Sequence, residues 1–192
     1  DDPQLREYTQ VIIAEADRLQ DLMIRLLTSH RMMQPTQLNL HDVVERVRRL
    51  ILAEFPGVAV RRDYDTSLPL VTGDREQLIQ AILNIARNAA QAMQSSGEIV
   101  MRTRAARQVT LAKRRFKLAV QLQVIDNGPG IPDDIRDRIF YPLVSGRENG
   151  SGLGLSLAQS FVEQHHGAIE VESRPGRTCF TIFLPISRDA DA

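Results

Sequence analysis

Leu83-Asn84-Ile85-Ala86-Arg87-Asn88-Ala89, then Asp126-Asn127-Gly128-Pro129-Gly130-Ile131, then Gly150-Ser151-Gly152-Leu153-Gly154-Leu155: the reading of this chain turns on these stretches and on their order. Asn84 and Asn88 stand four positions apart, which in a helix puts their amides on one face, a turn from each other. Ile82, Leu83 and Ile85 make the surroundings apolar, and an amide left unpaired there is costly. The pair therefore points to a ligand site, whereas either asparagine alone would read as facing solvent. An amide oxygen is a hard, neutral donor suited to magnesium carried in with phosphates, so the pair offers candidate metal ligands.

Val124-Ile125 ends a strand pattern and leaves Asp126 at its mouth. A carboxylate there accepts from the exocyclic amine of adenine and discriminates against a keto base. Gly128 and Gly130 permit positive φ and close backbone approach, and Pro129 stiffens the turn. Taken alone, this run is an ordinary Asp-Asn-Gly turn. Gly150, Gly152 and Gly154 open directly into Leu155, Leu157, Ala158, Phe161 and Val162, so backbone amides at a helix N-terminus turn toward an anion, with phosphate the natural guest. The run lacks a P-loop lysine and the spacing of a dinucleotide fingerprint. Phe140 to Asn149 then reads as a mobile lid whose one cation, Arg147, is a candidate phosphate contact, the alternative being an exposed arginine with no ligand role.

The 192 residues, 43% of them hydrophobic, suffice for one core and an appended element. Lys+Arg and Asp+Glu both number 24, so no global field steers the chain onto nucleic acid or an anionic membrane. The single cysteine, Cys179, cannot close an intramolecular disulfide, and no apolar run approaches the ~20 residues that span a bilayer. These features point to a cytoplasmic setting with no membrane segment. The opening Asp1-Asp2-Pro3 suggests a piece of something longer.

Asp2 as N-cap with Pro3 behind it starts a long helix reaching about Arg31. Leu5, Ile12, Leu19 and Leu26 recur every seven residues, with Ala16 and Met23 beside them, a seam for a partner helix. An amphipathic helix packed on its own domain is the plainer reading. Met33 to Gln37 reads as a linker, so residues 1–34 form a helical attachment, 38–187 a domain and 188–192 a polar tail, with fraying from Ser187. Within the domain, the pattern predicts a helix from Leu40 to Ile51, a strand from Val58 to Tyr64 and a helix capped by Asp74, with Gln77 completing a capping box. Strands at Ile99–Thr103 and Leu118–Ile125 follow, joined through the basic stretch Lys113 to Lys117, which reads as a solvated loop or a patch for an acidic partner. A short helix at Asp133–Ile139, a helix at Leu153–His165 and strands at Ala168–Ser173 and Cys179–Leu184 complete the set. His165 and His166 are expected to sit at a helix end for dipole reasons, and Cys179 to be a thiol without chemistry.

These motifs resemble the catalytic and ATP-binding domain of sensor histidine kinases, within the wider ATPase superfamily of the type II topoisomerases. Residues 83–89 look like the N box, 126–131 the first G box, Phe140-Tyr141-Pro142 the F box and 150–155 the second G box. The resemblance implies an α/β two-layer sandwich, a mixed sheet with helices on one face and a lid over ATP. It implies ATP and magnesium as ligands, the nucleotide held by Asn84, Asn88, Asp126, Gly128, Gly130, Arg147, Gly150, Gly152 and Gly154 and the metal by Asn88. The helix from Pro3 to Arg31 resembles the second helix of a dimerisation and histidine-phosphotransfer hairpin, which implies a homodimer through this helix in the full-length protein. Phe140 to Glu148 and Arg61-Arg62-Asp63-Tyr64-Asp65 narrow the likeness to the nitrogen-regulation kinases, which implies transfer of the ATP γ-phosphoryl to a histidine, then to a response-regulator aspartate, and a PII protein as a further partner.

The chain departs from the pattern in two places. No histidine is followed by an acidic residue and then Lys/Arg-Asn-Pro; His41-Asp42 imitates only its first two letters, so His41 reads as structural and the acceptor is absent. Gln91 stands where many relatives carry a cation, leaving part of the phosphate neutralisation unassigned. Two competing functions remain at this level. One is a nucleotide-dependent binding module whose ATP state a partner reads. The other is a hydrolytic ATPase, disfavoured because Asn84 occupies the position of the superfamily's catalytic glutamate.

Overall fold

Leu40, Val43, Val44, Val47 and Ile51 fall at helical spacing, and α1 (Leu40–Glu54) buries all five. Asn39 caps it, its side-chain oxygen accepting from the His41 N–H at 3.0 Å. The same logic builds α2 (Arg75–Ala92), where the Asp74 carboxylate accepts from the Glu76 and Gln77 N–H groups. Gln77 does not reach back to complete a capping box; its amide donates to Gln164 at 3.0 Å instead. The computed structural model describes residues 33–144 and 152–188, with Tyr8, Ile12, Glu15 and Leu19 as isolated positions. Those four are helical, and Tyr8, Ile12 and Leu19 are exposed. The rest of the expected long helix, with Leu5, Ala16, Met23 and Leu26, lies outside the described residues, as do residues 189–192.

Around these helices run β1 (Thr36–Leu38), β2 (Val58–Asp63), β3 (Val71–Gly73), β4 (Gly97–Leu111), β5 (Arg114–Asp126), α3 (Asp133–Arg136), α4 (Gly154–Gln164), β6 (Ala168–Arg174) and β7 (Arg177–Arg188). Five strands form one sheet in the order β2-β4-β5-β7-β6. The β2–β4 pair is parallel and the other pairs antiparallel, so the sheet is mixed as expected. Alternation along the strands sends Ile99 and Met101, Val120, Leu122 and Val124, and Phe180, Ile182 and Leu184 to one face. There they join the apolar sides of α1, α2 and α4 in a single core. The expected two-layer sandwich is the observed one.

Four local expectations change. The β4–β5 hairpin keeps register from Ile99↔Asp126 to Leu111↔Arg114, so Arg114 to Lys117 lie in a strand and only Ala112-Lys113 form the turn. Both turn residues have positive φ, 47° and 66°, which suits the twist of a tight hairpin but lacks its usual Asn-Gly signal. Part of the expected linker is β1, because Thr36–Leu38 finds a partner in Val71–Gly73. The helix after Pro132 stops at Arg136 rather than Ile139. At the other terminus, β7 includes Ser187 and Arg188, where fraying was the expectation.

His41 is structural, as read: its Nε2 lies 2.9 Å from Thr103 Oγ1 and its ring stacks on Tyr64 at 4.9 Å. The basic-acidic run at the end of β2 also serves the fold. Asp63 accepts from Arg102 at 2.6 Å and from Arg104 at 2.7 Å, and these guanidinium bonds hold its carboxyl below the usual range.

Ile82 is 1% exposed at the centre of the packed face of α2. Ile82→Ala should lower unfolding stability by about 2–5 kcal/mol. A urea midpoint equal to that of the unaltered chain would show that this seam does not carry the core.

Candidate functional site

The helices α2 and α4 run antiparallel against each other and are joined by polar bonds near both ends. At one end the Asn84 amide donates to the Gly154 carbonyl at 3.1 Å. At the other, Gln77 bonds Gln164 and the Asp74 N–H donates to His165 Nε2 at 2.9 Å. Asn88, half-buried, lies one turn beyond Asn84 on the same helix. The tertiary structure therefore brings Asn84, with Asn88 one turn beyond it, to the start of the helix that follows the glycine run.

Each glycine there has a separate reason. Gly152 has φ +65°, and a Cβ on it would lie 2.6 Å from the Leu143 carbonyl carbon. The Leu143 N–H donates to the Gly152 carbonyl at 3.0 Å, closing the two ends of the segment between them. Gly154 is different: a Cβ would meet Asn84 Cβ at 3.7 Å, an ordinary contact. The fold does not demand glycine at 154 for space. Arg147, Gly150 and the lid from Ser145 to Asn149 lie outside the described residues.

Asp126 ends β5 on the core face of the sheet and is 4% exposed. Its Oδ1 accepts from the Gly128 N–H at 2.9 Å. Burial pushes the carboxyl above its ordinary value, and the Gly128 bond offsets only part of that. Its second oxygen has no hydrogen bond among the described residues, which leaves an acceptor for an amine. Gly130 has φ +91°, and a Cβ there would crowd Arg174 and Pro175 at 3.0–3.1 Å. The turn carrying Asp126 is tied down by Ile131 N–H to Ser173 Oγ, 2.8 Å, and by Gly176 N–H to Gly128 O, 2.9 Å.

One polar neighbour was not legible in the sequence, and one was read differently. Thr178, 4% exposed, is the register partner of Asp126 across β5 and β7, and its hydroxyl lies 3.0 Å from Ser173 Oγ. Only strand pairing reveals that neighbour. His165 is buried at 5% exposure, which displaces the dipole reading: burial holds its imidazole below the ordinary pKa, and a neutral ring does not serve a helix C-terminus as a cation. Cys179 is buried and free. A cavity of about 460 Å³ beside Val100, Ile125 and Asn127 borders Asp126 but touches neither Asn84 nor Asn88 and none of the glycines 128, 130, 152 and 154. It lies toward the helix-free face of the sheet, away from the α2–α4 junction.

Because burial raises the Asp126 pKa, the folded chain holds a proton where the unfolded chain has released it. Stability is therefore lost as pH rises from the ordinary value of 3.8 through the raised folded value. Asp126→Asn keeps an acceptor for Gly128 and removes the buried charge. Its urea midpoint should exceed that of the unaltered chain at neutral pH, with the gap closing in acid; equal midpoints at neutral pH would show that the buried charge costs nothing.

A model of the histidine kinase-, DNA gyrase B- and HSP90-like ATPases matches residues 73–188. The sensory histidine kinase/phosphatase NtrB of Vibrio alginolyticus is 50% identical over 190 residues, covering 97% of this chain and 54% of the relative. That of Klebsiella oxytoca is 52% identical with the same coverage. The chain spans about half the length of the curated relatives it matches. Among solved structures, the catalytic domain of histidine kinase ThkA superposes with a TM-score of 0.68 at 25% identity, over 80% of this chain and 97% of that one. The matched segment begins one residue before the cap of the asparagine helix and contains Asp126 and the whole glycine run, and by that match the chain belongs to the histidine kinase-, DNA gyrase B- and HSP90-like ATPase family.

Proposed function

We propose that this chain is the ATP-binding and phosphoryl-donating part of an NtrB-like sensor histidine kinase acting in nitrogen regulation. The observation that carries the reading is the bond from Asn84 to Gly154, which sets the asparagine helix against the helix opened by the glycine run. The curated relatives' name, sensory histidine kinase/phosphatase, supports the same reading.

In this account Asp126 reads the adenine amine, with Gly128 and Gly130 letting the base approach the backbone. Gly152, Gly154 and the N-terminus of α4 receive phosphate, with Gly150 and Arg147 completing that contact. Asn88 holds magnesium by its amide oxygen, and Asn84 sets the distance between the two helices. Magnesium, when bound, offsets the charge of the phosphates, so that the γ-phosphoryl can be presented to a nucleophile. The acceptor is a histidine on another segment, paired with the seam of Leu5, Ile12, Leu19 and Leu26 in a dimeric hairpin. Proximity supplies much of the rate for that transfer. A response-regulator receiver aspartate then takes the phosphoryl group, a PII protein modulates the balance, and the setting is cytoplasmic. Among the described residues no helix is long and apolar enough to cross a membrane.

Asp126→Asn should weaken ATP by about 1.5–3 kcal/mol, the usual loss for a hydrogen bond to a charged group; titration curves that coincide with those of the unaltered chain would remove Asp126 from base recognition. With labelled ATP alone the chain should remain unlabelled. Adding a hairpin segment that carries an acceptor histidine should yield acid-labile phosphohistidine on that segment, and Asn88→Ala should abolish it. Acid-stable label on the chain itself, or transfer indifferent to Asn88→Ala, would favour a nucleotide-dependent binding module.

A further inference from the structure

Three of the buried polar residues, Asp74, Gln77 and His165, gather at one place, the end of the α2–α4 pair remote from Asn84 and Gly154. Burying polar side chains in a core is unfavourable unless they are bonded. Here the cost is not fully offset, since Gln77 Oε1 has no partner among the described residues. Capping α2 needs only Asp74 Oδ1, which accepts from the Glu76 and Gln77 N–H groups at 3.0 and 3.2 Å. The remaining bonds do something else. Asp74 Oδ2 accepts from the Gln34 N–H at 3.1 Å, so the segment entering the domain is tied to the same residue.

His165 joins this junction to α4 with both ring nitrogens. Nδ1 lies 2.6 Å from the Phe161 carbonyl and so carries the proton; Nε2 is then the acceptor for the Asp74 N–H at 2.9 Å. The ring packs directly on Gly73, where a Cβ would come within 2.7 Å of His165 Cδ2. Only the neutral imidazole satisfies this geometry. A proton on Nε2 would face the Asp74 N–H, and two donors cannot bond each other.

We infer that His165 is a positioning residue for the nucleotide site: by accepting from the Asp74 N–H it fixes α2 against α4, and hence Asn84 and Asn88 against Gly152 and Gly154, and its protonation releases that hold. The inference rests on the nucleotide-binding reading above. The helices are a lever with bonds at both ends, so loosening the Asp74–His165 end lets the pair pivot about Asn84–Gly154. The charged or titratable neighbours acting on the ring are the Asp74 carboxylate at the start of α2, which favours the proton, and His166 beyond α4, which disfavours it. Burial, the largest cause, outweighs the Phe161 carbonyl and Asp74, which favour the proton, and keeps the ring neutral near neutral pH. Because the folded pKa is depressed, the bond is intact above the ordinary value of 6.5 and is lost as pH falls through the depressed one.

The test measures Mg-ADP affinity by calorimetry at about pH 8 and about pH 5, on the unaltered chain, on His165→Gln and on His165→Ala, spanning the range in which a histidine changes charge. Glutamine offers an acceptor to Asp74 and does not titrate. The unaltered chain and His165→Gln should bind alike at the higher pH, and the unaltered chain should bind about fivefold or more weakly than His165→Gln at the lower one, the scale of coupling between linked sites. Effects of acid on ADP or on Asp126 are common to both proteins and cancel in this ratio. Adenosine, which carries no phosphate and meets only the Asp126 region, should show no such difference. Parallel pH profiles for the two proteins, or full Mg-ADP affinity in His165→Ala shown to be folded by circular dichroism, would overturn the positioning role. Absence of Mg-ADP binding to the unaltered chain at the higher pH would overturn the nucleotide-binding reading, and this inference with it.

Discussion

The packing of α2 on α4 is the constraint on which the rest of this molecule depends. Leu78, Ile82, Ile85 and Ala89 from one helix and Leu157, Ala158, Phe161 and Val162 from the other enter the same core. Burial of such side chains contributes most of the attraction, roughly 1.5–3 kcal/mol for each large one. That attraction has no direction. A smooth apolar seam would let the helices slide by a fraction of a turn, which Asn84 and Asn88 could not tolerate. Direction comes from the polar bonds at the two ends, Asn84 to Gly154 and the Asp74, Gln77, Gln164 and His165 group. Hydrophobic burial holds the two motif-bearing segments together, and hydrogen bonds set their register.

The sheet supplies the second fixed point. Asp126 is the last residue of β5, between Ile99 of β4 and Thr178 of β7, so its position is set by two strands and its turn by two anchors from the β6–β7 side. A carboxylate in that setting is unfavourable for the empty fold, because burial disfavours its charge. The same burial would strengthen a bond to an incoming amine. A residue that lowers stability and offers an unfilled acceptor fits a binding role better than a packing one.

The membership in the ATPase family and the likeness to NtrB agree with this arrangement, since the matched residues 73–188 contain both fixed points. Residues ahead of the match also enter the domain. Gln34 and β1 attach to Asp74 and β3, so the incoming segment meets the cap of the asparagine helix.

Much of this was legible in the residues themselves, because it is local. The apolar spacing of α1, α2 and α4, the Asp74 cap, the alternation of the strands and the three motifs each depend on residues a few positions apart, where helix and strand geometry fixes what lies on one face. The sequence by itself therefore determined the element types, the mixed α/β class and the identity of Asn84, Asn88, Asp126, Gly152 and Gly154 as site candidates. What it left undetermined is non-local. The β1 strand forms only because Val71–Gly73 comes alongside it, and the basic hairpin closes at Ala112-Lys113 because cross-strand register, not a turn signature, sets its end. Thr178 becomes a neighbour of Asp126 only through strand pairing. His165, which reads as a helix-end cation, becomes a buried neutral bridge to Asp74, 91 positions earlier in the chain. Only the tertiary structure decides such pairings, because the burial that sets a side chain's charge state and the partner that takes its hydrogen bond come from segments that meet after the core has formed.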